Sequence, residues 1–160
     1  MADALAIAAE IIKRPEIEGF RSKPYLCPAK VWTIGYGSTR DAAGKPVTAN
    51  TPPVNETEAT RLVIRDLGDA ARTVDRLVTV YLTTNQKAAL IDFVYNLGPG
   101  AFASSTLLKK LNASDYKGAS EEFGKWVYSG GKVLNGLVNR RKIERDLFVK
   151  DMLPKDIKLV

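Results

Sequence analysis

Only one stretch of this chain is patterned like a β-strand. Residues 31–36 (VWTIGY) are rich in β-branched and aromatic side chains, and glycines at 35, 37 and 44 mark turns at and beyond its end. A lone strand region supports a small hairpin or sheet and no more, so most of the core has to come from helices. Residues 42–55 (AAGKPVTANTPPVN) are dense in Gly, Pro, Asn and Thr and read as loop. Asn55 then stands three residues before Glu58, a capping-box spacing, and apolar residues recur at 63, 67, 70, 71, 74, 77 and 78. That period predicts one long amphipathic helix over about 56–79.

Residues 85–97 (NQKAALIDFVYNL) are apolar around most of a helical circumference, which suits a central buried helix, and Gly98-Pro99-Gly100 stops it. Further helices are expected at 106–111, at 114–127 with Ser114 as cap, and at about 134–152, separated by Asn112-Ala113 and Ser129-Gly130-Gly131. Phe123 and Trp126 are spaced for one helix face and read as core. At the start of the chain, the apolar stretch 4–9 is cut off by Glu10, Lys13, Arg14 and Pro15. It is too short for a membrane span and lacks the basic start and small-residue cleavage site of a secretory signal, so it reads as an amphipathic first helix.

The expected fold class is therefore α+β and mostly helical. A β-hairpin lobe (about 18–55) is joined by the long helix (about 56–79) to a helical lobe (about 84–152), with a cleft between them suited to an extended substrate. Length and composition fit one domain over 1–152 with a tail at 153–160: the chain has 160 residues, 45% hydrophobic and 26% charged, and shows no internal repeat. Its one cysteine, Cys27, excludes an intramolecular disulfide framework and a Cys-rich zinc site. No metal or other cofactor is expected.

The net charge is +6 with no histidine, so the basic excess persists across neutral pH and favours polyanions: nucleic acid, anionic lipid or peptidoglycan. Twelve Lys/Arg against seven Asp/Glu lie from residue 101 onward, which concentrates the charge in the helical lobe. Nucleic acid ranks low, because no recognised binding motif is present and acidic residues at 144, 146 and 151 dilute the basic last helix.

The chemistry is concentrated in residues 18–39, EGFRSKPYLCPAKVWTIGYGST. Cleaving a glycosidic bond needs a carboxylic acid that protonates the leaving oxygen and a second group that positions water or stabilises the sugar cation. Glu18 suits the first role, since Ile17, Gly19, Phe20, Trp32 and Tyr36 supply the apolar setting in which a carboxyl keeps its proton more easily. Without further context Glu18 would be a surface carboxylate, Cys27 a small buried hydrophobe and Thr33 a residue favoured by strand propensity.

In these residues the chain resembles the phage-type lysozymes, the endolysin muramidases of glycoside hydrolase family 24. The family signature is a Glu, eight residues, an Asp or Cys, five residues and a Thr, and Glu18, Cys27 and Thr33 fall on it. The segments EGFR, TIGYG, FVYNLGPGAF, SSTLLKKLN and WVYSGGKVLNGLVNRRKIE resemble the family in the same order, so the similarity runs from about residue 7 to 149. The resemblance implies a lysozyme-like fold, Glu18 as proton donor, Cys27 near the catalytic water and Thr33 helping to hold that water. It makes this chain the Glu/Cys/Thr variant of a site that carries aspartate in many members. A thiol is a weaker general base than a carboxylate at neutral pH, so Cys27 is read as orienting water or stabilising positive charge, with inversion at the anomeric carbon. The family also places Arg140 beside the acid, and Asn96, Ser105 and Thr106 along the sugar cleft; Arg141 is read as binding solvent or sugar. Asn96 and Thr106 have equal standing as helix-end residues, and Trp32 as core or as a stacking surface.

The function so implied is a monomeric enzyme that cuts peptidoglycan glycan strands between N-acetylmuramic acid and N-acetylglucosamine to lyse a bacterial host. No stable insertion into a membrane is expected. The protein would wait in the host cytoplasm for a separate membrane-pore protein to release it to the periplasm or cell wall. The rival functions are a lytic transglycosylase on the same substrate, a non-catalytic peptidoglycan-binding protein and a nucleic-acid-binding protein.

Overall fold

A computed structural model describes residues 2–152. The expected tail at 153–160 lies outside the described residues. The elements run in the order α1 (Ala2–Lys13), β1 (Arg21–Leu26), β2 (Trp32–Gly35), α2 (Glu56–Leu77), α3 (Thr84–Leu97), α4 (Pro99–Ala103), α5 (Thr106–Asn112), α6 (Tyr116–Glu122), a 3₁₀ turn (Phe123–Lys125), β3 (Tyr128–Ser129), β4 (Lys132–Val133) and α7 (Asn135–Val149). The class is α+β and mostly helical, with two small antiparallel hairpins.

The first hairpin pairs Tyr25 with Thr33 and Leu26 with Trp32, and its register shifts between Arg21 and Tyr25. The partner strand β1 (RSKPYL) shows little strand patterning because Arg21 and Lys23 are charged and Pro24 has no amide N–H to give the ladder. Its pairing with the better-patterned β2 makes it a strand. The turn closes on Cys27, whose amide donates to Val31 O (3.1 Å) while its carbonyl accepts from Lys30 N (2.7 Å).

Helix α2 joins two apolar clusters. Its N-terminus carries the expected capping box: the Asn55 side chain accepts from Glu58 N (2.8 Å) and the Glu58 carboxylate accepts from Asn55 N (3.0 Å). Leu62 packs with Ile34 and Val47 into a small cluster at the β-hairpin. Val63, Leu67, Ala70 and Val74 point into the large core. That core is organised around α3, which packs against α1, α2, α4 and α7. Phe93 sits at its centre, fully buried and edge-on to Phe102, Phe123 and Trp126 with ring centroids 6.1, 5.6 and 5.7 Å away.

Three local expectations are corrected. Gly98-Pro99-Gly100 ends α3 but also starts a helix: Gly98, at φ 93°, closes α3 and Pro99 occupies the first turn of α4. The helix expected over 114–127 is shorter. Ser114 lies outside it in the left-handed region (φ 65°), and Asp115 is the cap, its carboxylate accepting from Gly118 N at 2.8 Å. The helix gives way to the 3₁₀ turn before Trp126, which still packs on the core. Finally, Ser129-Gly130-Gly131 is not a plain break. Gly130 (φ 59°) and Gly131 (φ 79°) form the two-residue turn of the β3–β4 hairpin, a geometry in which both central residues need positive φ.

Two stability measurements test this packing. Phe93→Ala should lower the free energy of unfolding in urea by about 3–5 kcal/mol, since it removes a buried ring that three others touch. Glu122 is buried at one end of α6 and holds Lys110 (2.8 Å) and Lys125 (2.7 Å). Burial alone would raise its carboxyl, but the two lysines outweigh burial and hold it below the ordinary value of 4.5. The depressed value means that its contribution is complete above the unfolded carboxylate range and is lost as pH falls through the folded value. The stability gap between the wild type and Glu122→Gln should therefore be largest near neutrality and close in acid.

Candidate active site

Glu18 hangs below the end of α1, where the chain turns back on itself. Ile17 N donates to Arg14 O (2.9 Å) and Glu18 N donates to Ile12 O (3.2 Å). Gly19 completes the turn at φ 65°, and a Cβ there would come within 3.3 Å of the Pro15 backbone. The carboxyl then meets a partner 122 residues away: Arg140 on α7 donates from Nη1 to Glu18 Oε2 at 2.7 Å. The other edge of the same guanidinium is held by Asp92 on α3, which accepts from Nε at 3.0 Å and Nη2 at 2.8 Å. The Arg140 side chain is 5% exposed and Asp92 is 0% exposed, while Glu18 is 21% exposed. Burial opposes the Arg140 charge, but Asp92 and Glu18 outweigh it and raise the guanidinium above its ordinary value. For Asp92, burial is likewise outweighed by Arg140, and the carboxyl is held low.

The β-hairpin side closes on Glu18 through Gly37. A Cβ built on Gly37 would lie 2.8 Å from Glu18 Cδ, 2.9 Å from Oε1 and 3.1 Å from the Tyr95 hydroxyl, at φ 98°. Only glycine lets the backbone come this near the carboxyl in that conformation. Tyr95 donates to Tyr36 O at 2.9 Å, and burial and Glu18 raise its phenol above the ordinary range. Tyr25 on β1 is pushed up to about 12, first by burial and then by Glu18, with a smaller contribution from Cys27. It stands directly across the ladder from Thr33.

Thr33 is buried and its hydroxyl donates to Val31 O at 2.9 Å. Cys27 is half-buried at the hairpin turn, one residue beyond β1. Arg141 is 1% exposed, donates to Asn96 Oδ1 at 2.6 Å, and lies 2.8 Å from Glu144 Oε1 and 5.2 Å over the Phe93 ring. It thereby fixes Asn96, half-buried near the end of α3. Ser105 is buried, donating to Phe102 O at 2.7 Å and accepting from Leu108 N at 3.0 Å as the cap of α5. Thr106, the first residue of α5, is exposed.

The structure thus joins Glu18 and Arg140 directly and Asn96 to Arg141 directly. Cys27 and Thr33 stand on the hairpin and Thr106 on α5. Sequence reasoning missed Asp92, Glu144, Tyr25, Tyr95 and the specific demand on Gly37. Asp92 did leave a signal, an acid inside the apolar run ALIDFVY. Such a group needs a buried partner.

The family model for phage lysozyme matches residues 15–144. The chain belongs to the phage lysozyme family. Among curated relatives of this phage lysozyme, the SAR-endolysin of Bacteriophage PS119 is 39% identical over 148 residues, covering 90% of this chain and 86% of that one. Among solved structures, the endolysin from Escherichia coli O157:H7 phage FAHEc1 superposes with a TM-score of 0.78 at 29% identity, over 96% of this chain and 95% of that one. The muramidase domain of SpmX from Asticaccaulis excentricus gives a TM-score of 0.75 at 31% identity, over 92% and 95% of the two chains. Among the described residues of this lysozyme, no helix is long and apolar enough to cross a membrane.

The crowding at Gly37 gives a paired test. Gly37→Ala and Gly44→Ala both place a side chain at positive φ, 98° and 82°, but a Cβ at Gly44 meets nothing within 4 Å. Each should lose about 1–2 kcal/mol of stability from backbone strain. Only Gly37→Ala should also lose activity, about tenfold or more, because it displaces the Glu18 carboxyl. Turbidity loss of cell-wall suspensions reads the difference.

Proposed function

We propose that this lysozyme is a muramidase that hydrolyses the β-1,4 bond between N-acetylmuramic acid and N-acetylglucosamine, with Glu18 as general acid. One observation carries the reading. Glu18 and Asp92 both bind Arg140, and of the two only Glu18 reaches the surface (21% against 0%), so only it can touch a substrate. The relative whose structure is described as a muramidase domain supports the same reaction.

In the proposed step Glu18 gives its proton to the glycosidic oxygen as the bond to the anomeric carbon breaks. A water attacks the opposite face of that carbon, which inverts its configuration, and its proton passes to the solvent, from which Glu18 is reprotonated. Cys27 and Thr33 orient this water, and Cys27 also stabilises the positive charge that develops on the sugar. Asn96 and Thr106 contact sugar hydroxyls along the cleft. Arg141 acts through Asn96, which it grips, and Ser105 through Thr106, whose helix it caps. Arg140 holds the acid in place.

The same reading takes the enzyme to be a monomer that accumulates in the host cytoplasm and depends on a separate pore protein to reach the periplasm or cell wall. Its basic charge speeds encounter with the anionic envelope.

Mass spectrometry of muropeptides released from purified peptidoglycan tests the reaction. Wild type should release products ending in reducing muramic acid, and Glu18→Gln should release none. Anhydromuramic products would instead establish a transglycosylase, which the missing carboxylate at position 27 favours. Wild-type protein that binds walls without releasing anything would be a binding protein. For Cys27, complete alkylation by iodoacetamide should reduce turnover, and full activity after complete alkylation would remove the thiol from the mechanism.

A further inference from the structure

We propose that Asp92 is a positioning residue for the acid: it fixes the plane of the Arg140 guanidinium and offsets its charge, so that Glu18 is held by one N–H without being locked as a carboxylate. The inference rests on the reading of Glu18 as the general acid.

A guanidinium presents five donors in one rigid plane, and whichever carboxylate takes two of them sets its orientation. Here Asp92 takes Nε and Nη2, at 3.0 and 2.8 Å, and Glu18 receives only Nη1, at 2.7 Å. Asp92 lies on α3 in the middle of the large core and is wholly buried, so its grip is not loosened by water. Arg140 left to Glu18 alone would be free to turn, and its whole charge would bear on a group that must carry a proton at the start of each turnover.

The offset needs Asp92 to be ionised, and the surroundings supply that. Glu144 on α7 is also fully buried, lies 2.8 Å from Arg141 Nε, and hydrogen-bonds with Asp92. Burial, and then the charge of Asp92, push the Glu144 carboxyl well above its ordinary range. Glu144 is therefore the neutral member of the pair and donates the shared proton to Asp92. The charge of Asp92 then falls on Arg140, whose Nε and Nη2 it binds. The groups facing Asp92 are Arg140, Arg141 and Glu144 from α7, and those acting on Glu18 are Arg140, Tyr95 from α3 and Tyr25 from β1.

The test compares Asp92→Asn and Glu144→Gln with wild type in steady-state assays on soluble glycan strands across pH, with folding checked by near-ultraviolet circular dichroism. Asp92→Asn should lower kcat about tenfold or more with KM little changed. It should also move the alkaline limb of the kcat profile to lower pH, because an uncompensated guanidinium favours a carboxylate beside it. Glu144→Gln keeps a neutral donor to Asp92, so it should leave the alkaline limb in place, whatever it does to kcat through Arg141 and Asn96. A folded Asp92→Asn with an unchanged profile, or with a change in KM alone, overturns the proposal. If that variant does not fold, infrared spectra at neutral pH decide: wild type should show one buried protonated carboxyl that Glu144→Gln lacks, and its absence overturns the charge assignment. Glu18→Gln run beside them separates the two readings. An active Glu18→Gln removes the acid itself, whereas an inactive Glu18→Gln with an unchanged Asp92→Asn removes only the role of Asp92.

Discussion

The buried guanidinium of Arg140 is the interaction on which the rest of the site depends. Burying a charge is tolerated only when it is paired and its hydrogen bonds are met, and Arg140 meets this with carboxylates from two places in the chain. Each partner comes with its own tether. Asp92 is rigid because α3 is packed on several sides by other helices. Glu18 is less rigid by itself, since it stands in a turn after α1, and Arg140 ties that turn to the helical core. A surface turn thereby acquires a fixed geometry, which the role proposed for Glu18 needs.

Around this pair the fold is arranged so that the β-hairpin can approach closely. Helix α2 carries Leu62 to the small cluster with Ile34 and Val47, and carries Val63 and Leu67 to the large one. One rigid helix thus registers the hairpin against the helical core. Gly35 and Gly37 supply the remaining tolerance: a Cβ at Gly35 would lie 3.0 Å from Ala59 Cβ on α2, and one at Gly37 would strike the Glu18 carboxyl. The turn glycines expected from the pattern therefore also serve as places where two surfaces meet without side chains between them. Tyr95 closes the same corner from α3 by bonding the carbonyl of Tyr36.

How much of this was legible depends on the range of the interaction. The capping box at Asn55, the buried helix α3 and the strand of residues 32–35 arise from neighbours in sequence, and each was readable. Strand β1 was not, because a charged, proline-containing segment becomes a strand only through its pairing with β2. The cap of α6 was misplaced by one residue, since Ser114 and Asp115 both have capping side chains and only the backbone at φ 65° excludes the serine. Within the site, Glu18, Cys27, Thr33 and Arg140 were all marked by the family resemblance, the first three through its spacing. Asp92 and Glu144 have no spacing to mark them. They lie 52 residues apart in sequence, and Tyr25 and Tyr95 look like ordinary hairpin and core aromatics until their hydroxyls are placed.

The sequence by itself determined the helices with strong period and caps, and with them the fold class, because these rest on contacts within a few turns of one segment. Tertiary structure decided which charges meet in the core and which of them stays reachable from outside. It brought Arg140 between Asp92 and Glu18 and left only Glu18 exposed. The physical reason is that a buried ion pair is selected by the packing of three separate segments, α3, α7 and the turn after α1, and no local pattern records that meeting.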